Sequence, residues 1–287
     1  LGSRSTAIGF AALEDQNFTT ATDSYNVAVG ALAGTNVTTG IFNSLHGALA
    51  GSSLTDADRN TAVGMNALGS DTLGSKSTAV GQSALFAQNF TTATDSNNTA
   101  VGYNAGVAVT TGIEDTLIGG LAGDALTTGA SNTAVGYRSL SASNTGSSNT
   151  AIGSNSMLSD VKGARNVTVG YGTLFSQNFT TSTNSYNVAV GFDAGTAVTT
   201  GVQNTLIGGL AGDALTDADS NVAVGVTSLS SDTLGSRSTA IGAGALETQN
   251  FTTATNTYNT ALGYAAGTAV TTGTTNTIIG SNAGVAV

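Results

Sequence analysis

A tetrapeptide that most often reads TAVG occurs sixteen times in the 287-residue chain, and this repetition restricts the possible folds more than any other feature. The usual period of 17 residues is too short for helical repeats, which need roughly 33–45 residues, and it suits two short strands with two turns. Successive copies begin 17 residues apart, apart from four intervals of 21 residues. The copies begin at Thr6, Val27, Ser44, Thr61, Thr78, Thr99, Thr116, Thr133, Thr150, Val167, Val188, Thr205, Val222, Thr239, Thr260 and Thr277.

The four long intervals share a phrase that begins QNFTT, at residues 16, 88, 177 and 249. The phrase is therefore a four-residue insertion that recurs every fourth coil, with one extra coil in the second group. It places a phenylalanine at the same point of each long coil. These rings are predicted to fold back over an apolar groove, to bridge neighbouring chains, or to contact a sugar or an accessory fibre by aromatic stacking. They are Phe18, Phe90, Phe179 and Phe251.

The fourth residue of the tetrapeptide is glycine in every copy, which indicates that a side chain is excluded there. Either the backbone adopts a conformation open only to glycine, or another strand passes close by. We predict that these residues are structural. The column consists of Gly9, Gly30, Gly47, Gly64, Gly81, Gly102, Gly119, Gly136, Gly153, Gly170, Gly191, Gly208, Gly225, Gly242, Gly263 and Gly280.

The residue before the tetrapeptide is asparagine in twelve coils, and Ser5, Ser77, Ser238 and Asp115 occupy the other four. Asparagines at one corner of successive coils can form a hydrogen-bonded ladder, and Asn tolerates tight turns. The predicted ladder consists of Asn26, Asn43, Asn60, Asn98, Asn132, Asn149, Asn166, Asn187, Asn204, Asn221, Asn259 and Asn276.

The residues after each glycine indicate a shared core, because one large side chain enters by either of two routes. Four residues after the glycine, eight coils carry Leu13, Leu68, Leu85, Leu140, Met157, Leu174, Leu229 or Leu246. The other eight carry Gly34, Gly51, Gly106, Gly123, Gly195, Gly212, Gly267 or Gly284, and three residues later Val37, Leu54, Val109, Leu126, Val198, Leu215, Val270 or Val287. Such compensation of volume is typical of a packed interior.

These patterns predict an all-β fold, a parallel β-solenoid or β-roll of sixteen coils. Stacked at ~4.8 Å, they would form one continuous rod about 75 Å long over residues 1–287. Within the tetrapeptide, Val or Ile shares one strand face with the leading Thr, and Ala shares the other with Gly. Both faces avoid charge, so one would line the interior and the other would need a partner, most simply another copy of the chain.

The composition of the chain argues against several classes of function. The net charge of −10 argues against binding nucleic acid or anionic membranes, which need clustered Lys and Arg. No apolar run approaches the ~20 residues of a membrane helix. The chain has no cysteine and a single histidine. No triad can be built from that set, so we expect no enzymatic activity and no cofactor, although two carboxylates could suffice for a glycosidase. The acid pairs are Glu14–Asp15 and Glu114–Asp115.

The repeat resembles units of bacteriophage tail-fibre proteins and is similar to the head repeats of trimeric autotransporter adhesins, which read approximately N-S-x-A-I-G. SNTAVGYRSL (131–140) and SNTAIGSNSM (148–157) carry the likeness, and NTLIGGLAG (204–212) is a looser match. The adhesin unit is usually shorter than 17 residues. The resemblance implies a homotrimeric β-roll that serves as the rigid shaft of an extracellular host-attachment fibre, on a virion or a cell surface.

Three further features leave alternatives open. His46, the only histidine, stands in the Val/Ile column, as a tolerated substitution or as a ring of three around a trimer axis that holds a metal or anion. Asp56, Asp58, Asp217 and Asp219 lie in LTDAD segments that read as turns or as Ca²⁺ ligands. Eleven coils begin the tetrapeptide with Thr, so an outward Thr column would favour an ice-binding solenoid.

The first and last coils show no polar cap, and uncapped repeats expose ladder edges. We therefore expect flanking fibre domains or end-to-end stacking into a filament. The predicted function is the shaft of a fibre whose host-binding tip lies elsewhere. A bacterial surface adhesin or a self-stacking filament is the alternative, followed by the ice-binding solenoid.

Overall fold

The computed structural model describes residues 2–285 and shows an all-β parallel β-solenoid of about sixteen turns with about 17 residues per turn. This confirms the fold class predicted from the repeats. Contacts between Cα atoms divide the chain into two compact units, Leu1–Thr145 and Gly146–Val287. Each unit is described by itself below, and the single continuous rod stays a prediction. Val287, predicted to fill the core, lies outside the described residues.

The first unit contains a parallel sheet made from the first three residues of each tetrapeptide. Its strands follow chain order and pair without a shift in register, for example Thr99 with Thr116 and Val101 with Ile118. The strands are β2 (Thr6–Ile8), β4 (Val27–Val29), β5 (Ser44–His46), β6 (Thr61–Val63), β8 (Thr78–Val80), β10 (Thr99–Val101), β11 (Thr116–Ile118) and β12 (Thr133–Val135).

The second unit contains the corresponding sheet, again with strands paired in parallel and in register. Val188, for example, pairs with Thr205, and Val190 with Ile207. The strands are β13 (Thr150–Ile152), β15 (Val167–Val169), β17 (Val188–Val190), β18 (Thr205–Ile207), β19 (Val222–Val224), β21 (Thr239–Ile241), β23 (Thr260–Leu262) and β24 (Thr277–Ile279).

The remaining strands are two residues long and occur only where a long coil meets the coil before it. They pair in parallel as β1 (Gly2–Ser3) with β3 (Thr22–Asp23), β7 (Gly74–Ser75) with β9 (Thr94–Asp95), β14 (Gly163–Ala164) with β16 (Thr183–Asn184), and β20 (Gly235–Ser236) with β22 (Thr255–Asn256).

A second strand in every coil was predicted, and the structure shows turns there instead. In the coil that starts at Thr99, Asn104 has a φ of 53° and Gly106 a φ of 59°, both left-handed. Two left-handed residues among three cannot continue an extended strand, so the chain bends sharply after the glycine column. Each ordinary coil therefore has one regular side, the three-residue strand, and is closed by hydrogen-bonded turns.

The glycine column is explained by both of the predicted reasons at once. Its φ angles lie between 124° and 141°, a region that L side chains rarely adopt. At Gly102, an added Cβ would stand 2.5 Å from the carbonyl oxygen of Gly119 in the next coil. That oxygen belongs to the backbone and cannot move aside, so the column allows coils to stack closely.

The interior is lined by the second residue of each strand, which points inward while its two neighbours point outward. This residue is usually alanine and is fully buried, as at Ala62, Ala79, Ala100 and Ala134. The Ala face of the tetrapeptide thus lines the core, and the Thr and Val/Ile face is outside.

The alternation between leucine and glycine coils is confirmed as volume compensation. Leu85 and Val109, which belong to the two alternatives, are both 0% exposed. At Gly106 an added Cβ would lie 2.6 Å from Cδ1 of Leu117 and 3.0 Å from Cδ2 of Leu85. The space that a side chain at Gly106 would need is already filled from neighbouring coils.

A third element of this packing was not predicted. Where two glycine coils follow one another, the second carries a large residue in place of the inward alanine, as at Leu45, Leu117, Leu206 and Ile278. Leu117 is 1% exposed and contacts the space over both Gly106 and Gly123. One leucine therefore fills the volume that two neighbouring glycines leave empty.

Candidate interaction surface

The asparagine column forms a ladder that joins each coil to the next. Asn43 donates from Nδ2 to the carbonyl oxygen of Ala57 at 2.7 Å, and its Oδ1 accepts from the backbone N–H of Asn60 at 3.0 Å. The same pair of bonds recurs at Asn187 and Asn204 in the second unit. The amides thus bond mainly to backbone groups of the next coil, and they satisfy buried corners that would otherwise lack partners.

Asp115 replaces asparagine in one coil and leaves a gap in the ladder. Its Oδ1 accepts from the backbone N–H of Asn132 at 2.9 Å, but its buried Oδ2 has no hydrogen-bond partner. At Asn98, one coil earlier, the amide nitrogen donates to the carbonyl oxygen of Gly112, and an ionised carboxylate cannot donate in this way. Burial raises the pKa of Asp115 to about 7, and the charge of Glu114 contributes to a smaller extent. The hydrogen bonds from Asn132 act in the opposite direction and lower this pKa.

In three of its four copies, the QNFTT insertion is held by a buried carboxylate in the preceding coil. Asp71 accepts from the backbone N–H of Gly74 and of Phe90, and its Oδ2 accepts from Nε2 of Gln88 at 2.5 Å. Gln88 in turn accepts from Asn98 at 2.8 Å. Asp160 and Asp232 make the equivalent contacts. We call this arrangement the Asp–Gln clamp. Burial raises the pKa of Asp160, although its hydrogen bonds act in the opposite direction.

The four phenylalanines of the insertion are 6–7% exposed. An added Cβ on Gly74 would lie 2.7 Å from Cδ2 of Phe90, so the ring covers the glycine of the preceding coil. This position matches the alternative in which the ring folds back onto its own chain. Little ring surface is left for a sugar or an accessory fibre.

The acidic LTDAD segments cap the preceding coil. Oδ1 of Asp56 accepts from Thr39 at 2.6 Å, and Oδ1 of Asp58 accepts from the backbone N–H of Ile41 at 2.8 Å. Asp217 and Asp219 repeat both contacts. These bonds favour the turn interpretation over Ca²⁺ binding. Among residues 2–285, no three His, Cys, Asp or Glu side chains are grouped so that they could hold a metal ion.

The outward side of the sheet in each unit is uncharged, with a column that is mostly threonine beside a column that is mostly aliphatic. We define the outer face as the first and third residues of the sixteen three-residue strands. The third residues are Val, Ile or Leu apart from His46, and several are more than a third exposed, including Val63 (38%), Ile118 (39%) and Ile207 (39%). Nε2 of His46 lies 3.2 Å from Oγ of Ser44 on this same face. None of these 32 positions is Asp, Glu, Lys or Arg.

Exposed rings border the outer face. We define the corner column as the residue that follows each glycine of the tetrapeptide. It contains Phe10 (79% exposed), Tyr103 (56%), Tyr137 (55%) and Phe192 (58%), and it also contains no charged residue. Small residues stand beside several of the rings: Tyr137 lies over Gly120, and an added Cβ at Gly209 would meet nothing within 4 Å. The column is thus an uneven row of uncharged projections and gaps.

A separate group of aromatic residues, before the asparagine column, is already occupied by its own neighbours. Tyr25 and Phe42 stack with ring centroids 5.6 Å apart, and Arg4 and Arg59 cover the two ends of the stack. Because both faces of each ring are covered, these rings do not offer a platform on which a sugar could stack.

The sequence predicted the repeated structural residues but not which residues form the outer face. The glycines, asparagines and phenylalanines were identified by their repetition. The structure buries the phenylalanines and all the asparagines except Asn276, and it places most of the glycines at half-buried points where neighbouring coils meet. The outer face was not identified, because the sequence left open which side of the strand is inward. Residues 2–285 contain no helix with the length and apolar character of a membrane span. Comparisons with protein-family models, with curated proteins and with solved structures give no significant match.

Proposed function

We propose that this segment is the structural shaft of an extracellular attachment fibre of the phage tail-fibre type, which positions a host-binding tip outside it. The observation that carries the proposal is the ladder that links coil to coil within each unit. Backbone bonds of the sheet, Asn side chains and Thr side chains run in the same direction, as at Asn43, Asn60 and Thr110. A force along the stack is therefore shared among many parallel bonds.

The architecture supports this proposal because each coil depends only on its neighbours. In such repeats stability is approximately a sum of local terms, so length can change without a change in the rest of the molecule. The resemblance of SNTAVGYRSL to tail-fibre and adhesin-head repeats points the same way. A bacterial surface adhesin and a self-stacking filament would use the same mechanics. In each case the expected partner is another copy, as a homotrimer or end to end, together with flanking fibre domains, and the net charge of −10 disfavours nucleic acid.

A second candidate is ice binding, favoured by one observation. The eleven threonines that begin a tetrapeptide lie on the outer face beside a column of Val and Ile, on a sheet paired in register. Such a face could order water in a regular array. This candidate requires a monomer with thermal hysteresis, whereas the shaft requires an oligomer without it.

Deletion of residues 167–238 tests the shaft proposal. This segment is one complete four-coil block, and its removal joins Asn166 to Thr239, so the coil of Asp160 still precedes a QNFTT coil. The deleted protein is expected to fold, to keep the number of chains per particle measured by light scattering, and to be shorter by about 19 Å in negative-stain images. A single-chain particle that shows thermal hysteresis would support ice binding instead.

A matched deletion of residues 205–238 separates length from order. It also keeps the tetrapeptide spacing, but it removes the coil of Asp232 and leaves Gln249 and Phe251 without their clamp. We expect this shorter deletion to lower the thermal midpoint more than the longer one. The opposite order would contradict the account of coil-to-coil stability on which the shaft proposal depends.

A further inference from the structure

We infer that the outer face and the corner column form a lateral self-association surface, covered by the same surface of another copy of this chain. The inference rests on the proposed function, and it names the surface through which a lateral oligomer would form. Copies would join side by side along their sheets, in addition to any contact at the ends of the stack.

The distribution of charge favours a second copy as the partner. The chain carries 17 acidic and 7 basic residues, and two copies therefore repel each other at most orientations. The outer face and the corner column contain none of these charged side chains. An association through this side is the one that brings the acidic copies together while it keeps every charge in solvent.

The spacing of the side chains also favours a second copy. Positions in the corner column are spaced by the rise of the solenoid, and they include projections such as Tyr103 and Tyr137 and gaps such as Gly120 and Gly209. A partner that interdigitates over many coils must have the same rise. Another copy of the chain meets this condition by construction, whereas a globular protein with an irregular surface does not.

The area of the outer face is a substantial part of what association requires. In one unit, eight strands at ~4.8 Å and three residues at ~3.3 Å give a face of roughly 38 by 10 Å. Each unit therefore presents roughly 380 Å² before the corner column is added, about half of the ~800 Å² that each partner buries in a stable complex. An ice surface is a poorer fit, because rings that are more than half exposed project beside the threonines.

Two charge substitutions in one coil test the inference. Ile118→Lys places a cation on the outer face, while Thr128→Lys places the same charge on an exposed turn of that coil, away from the sheet. The double variants Ile118→Lys/Ile207→Lys and Thr128→Lys/Thr272→Lys repeat the comparison in both units. Circular dichroism and the thermal midpoint at low concentration establish that each variant folds, as expected for exposed positions.

Multi-angle light scattering over a range of concentrations then gives the oligomeric state. We expect Ile118→Lys to weaken association at least tenfold and the double outer-face variant to be monomeric, while both threonine variants associate like the wild type. If the folded outer-face variants associate as well as the wild type, the lateral surface is wrong and the shaft proposal stands with end-to-end contacts. A monomeric wild type at the highest concentration would overturn both.

Discussion

Leu117 and Ile118 are adjacent in one strand, yet one side chain lies in the core and the other on the surface. Leu117 is 1% exposed and fills the space above two glycines, whereas Ile118 is 39% exposed and contacts solvent. The inner position changes from Ala to Leu only where the neighbouring coils leave room for it. The third strand position stays aliphatic in fifteen of sixteen coils, although the core of the chain does not require it.

The difference teaches that two separate requirements shape the repeat. The inner face follows the volume of the core, which can be calculated from the chain itself. A half-exposed aliphatic column has no such explanation within the described chain, because surface positions normally tolerate polar residues. An aliphatic column at this position is what the proposed lateral self-association would require.

The largest predicted effect is the loss of stability when the inward residue of this strand, Leu117, is shortened. Leu117→Ala should lower the free energy of unfolding by about 3–5 kcal/mol, because it opens a cavity over Gly106 and Gly123 that cannot collapse. Ile118→Ala should cost about 1 kcal/mol in the dissociated chain, since its side chain is not enclosed. Urea unfolding at two protein concentrations separates this cost from association. Equal losses in the two variants at the lower concentration would contradict the assignment of faces.

An intermediate effect is expected next to this strand, at Asp115. Its pKa is raised in the folded chain, so the contribution of Asp115 to stability should be largest below about pH 4 and should be lost as the pH rises to about 7. Asp115→Asn restores an amide donor toward the backbone of the next coil and removes this dependence. We expect a gain of roughly 2 kcal/mol at pH 8 and a smaller one at pH 4.

Thermal or urea unfolding of both proteins from pH 4 to pH 8 measures the difference directly. A gain that is the same at every pH would show that Asp115 is not protonated in the folded chain.

The smallest predicted effect concerns the outer side alone. Val135→Thr preserves the β-branched shape and changes only the polarity of a half-exposed position. In the dissociated chain it should change stability by less than about 0.5 kcal/mol. Several such substitutions together should nevertheless weaken association, which light scattering detects. A large loss of monomer stability from this single change would show that the outer face takes part in the core.

Much of the fold was predictable because a repeat reports each structural requirement many times. The 17-residue period predicted the parallel solenoid, the glycine column predicted close coil contacts, and the exchange of Leu85 for Gly106 and Val109 predicted a shared interior. The asparagine ladder was predicted as well, although its amides bond mainly to backbone groups.

The direction of the strand faces and the way each coil closes depend on backbone geometry, which the repeat length alone does not determine. A three-residue strand with apolar residues on both sides gives no sign of which face is inward, and only the left-handed turn at Asn104 and Gly106 decides how the coil closes. The same left-handed residues explain why the second strand was wrong. The placement of Leu117 was visible in the sequence as a rule of neighbouring coils, but it could not be interpreted until its inward direction was known.

The Asp–Gln clamp restricts the order in which coils can follow one another. A coil with QNFTT is correctly placed only after a coil that offers a buried aspartate, as Asp71, Asp160 and Asp232 do. A coil inserted between these two, or the loss of either one, would leave a carboxylate or an amide without its partner, whereas the extra coil in the second group enters ahead of the aspartate coil and separates no such pair. Molecules of this type can therefore change length by single coils at some positions, but at the aspartate–QNFTT junction both coils must be kept together.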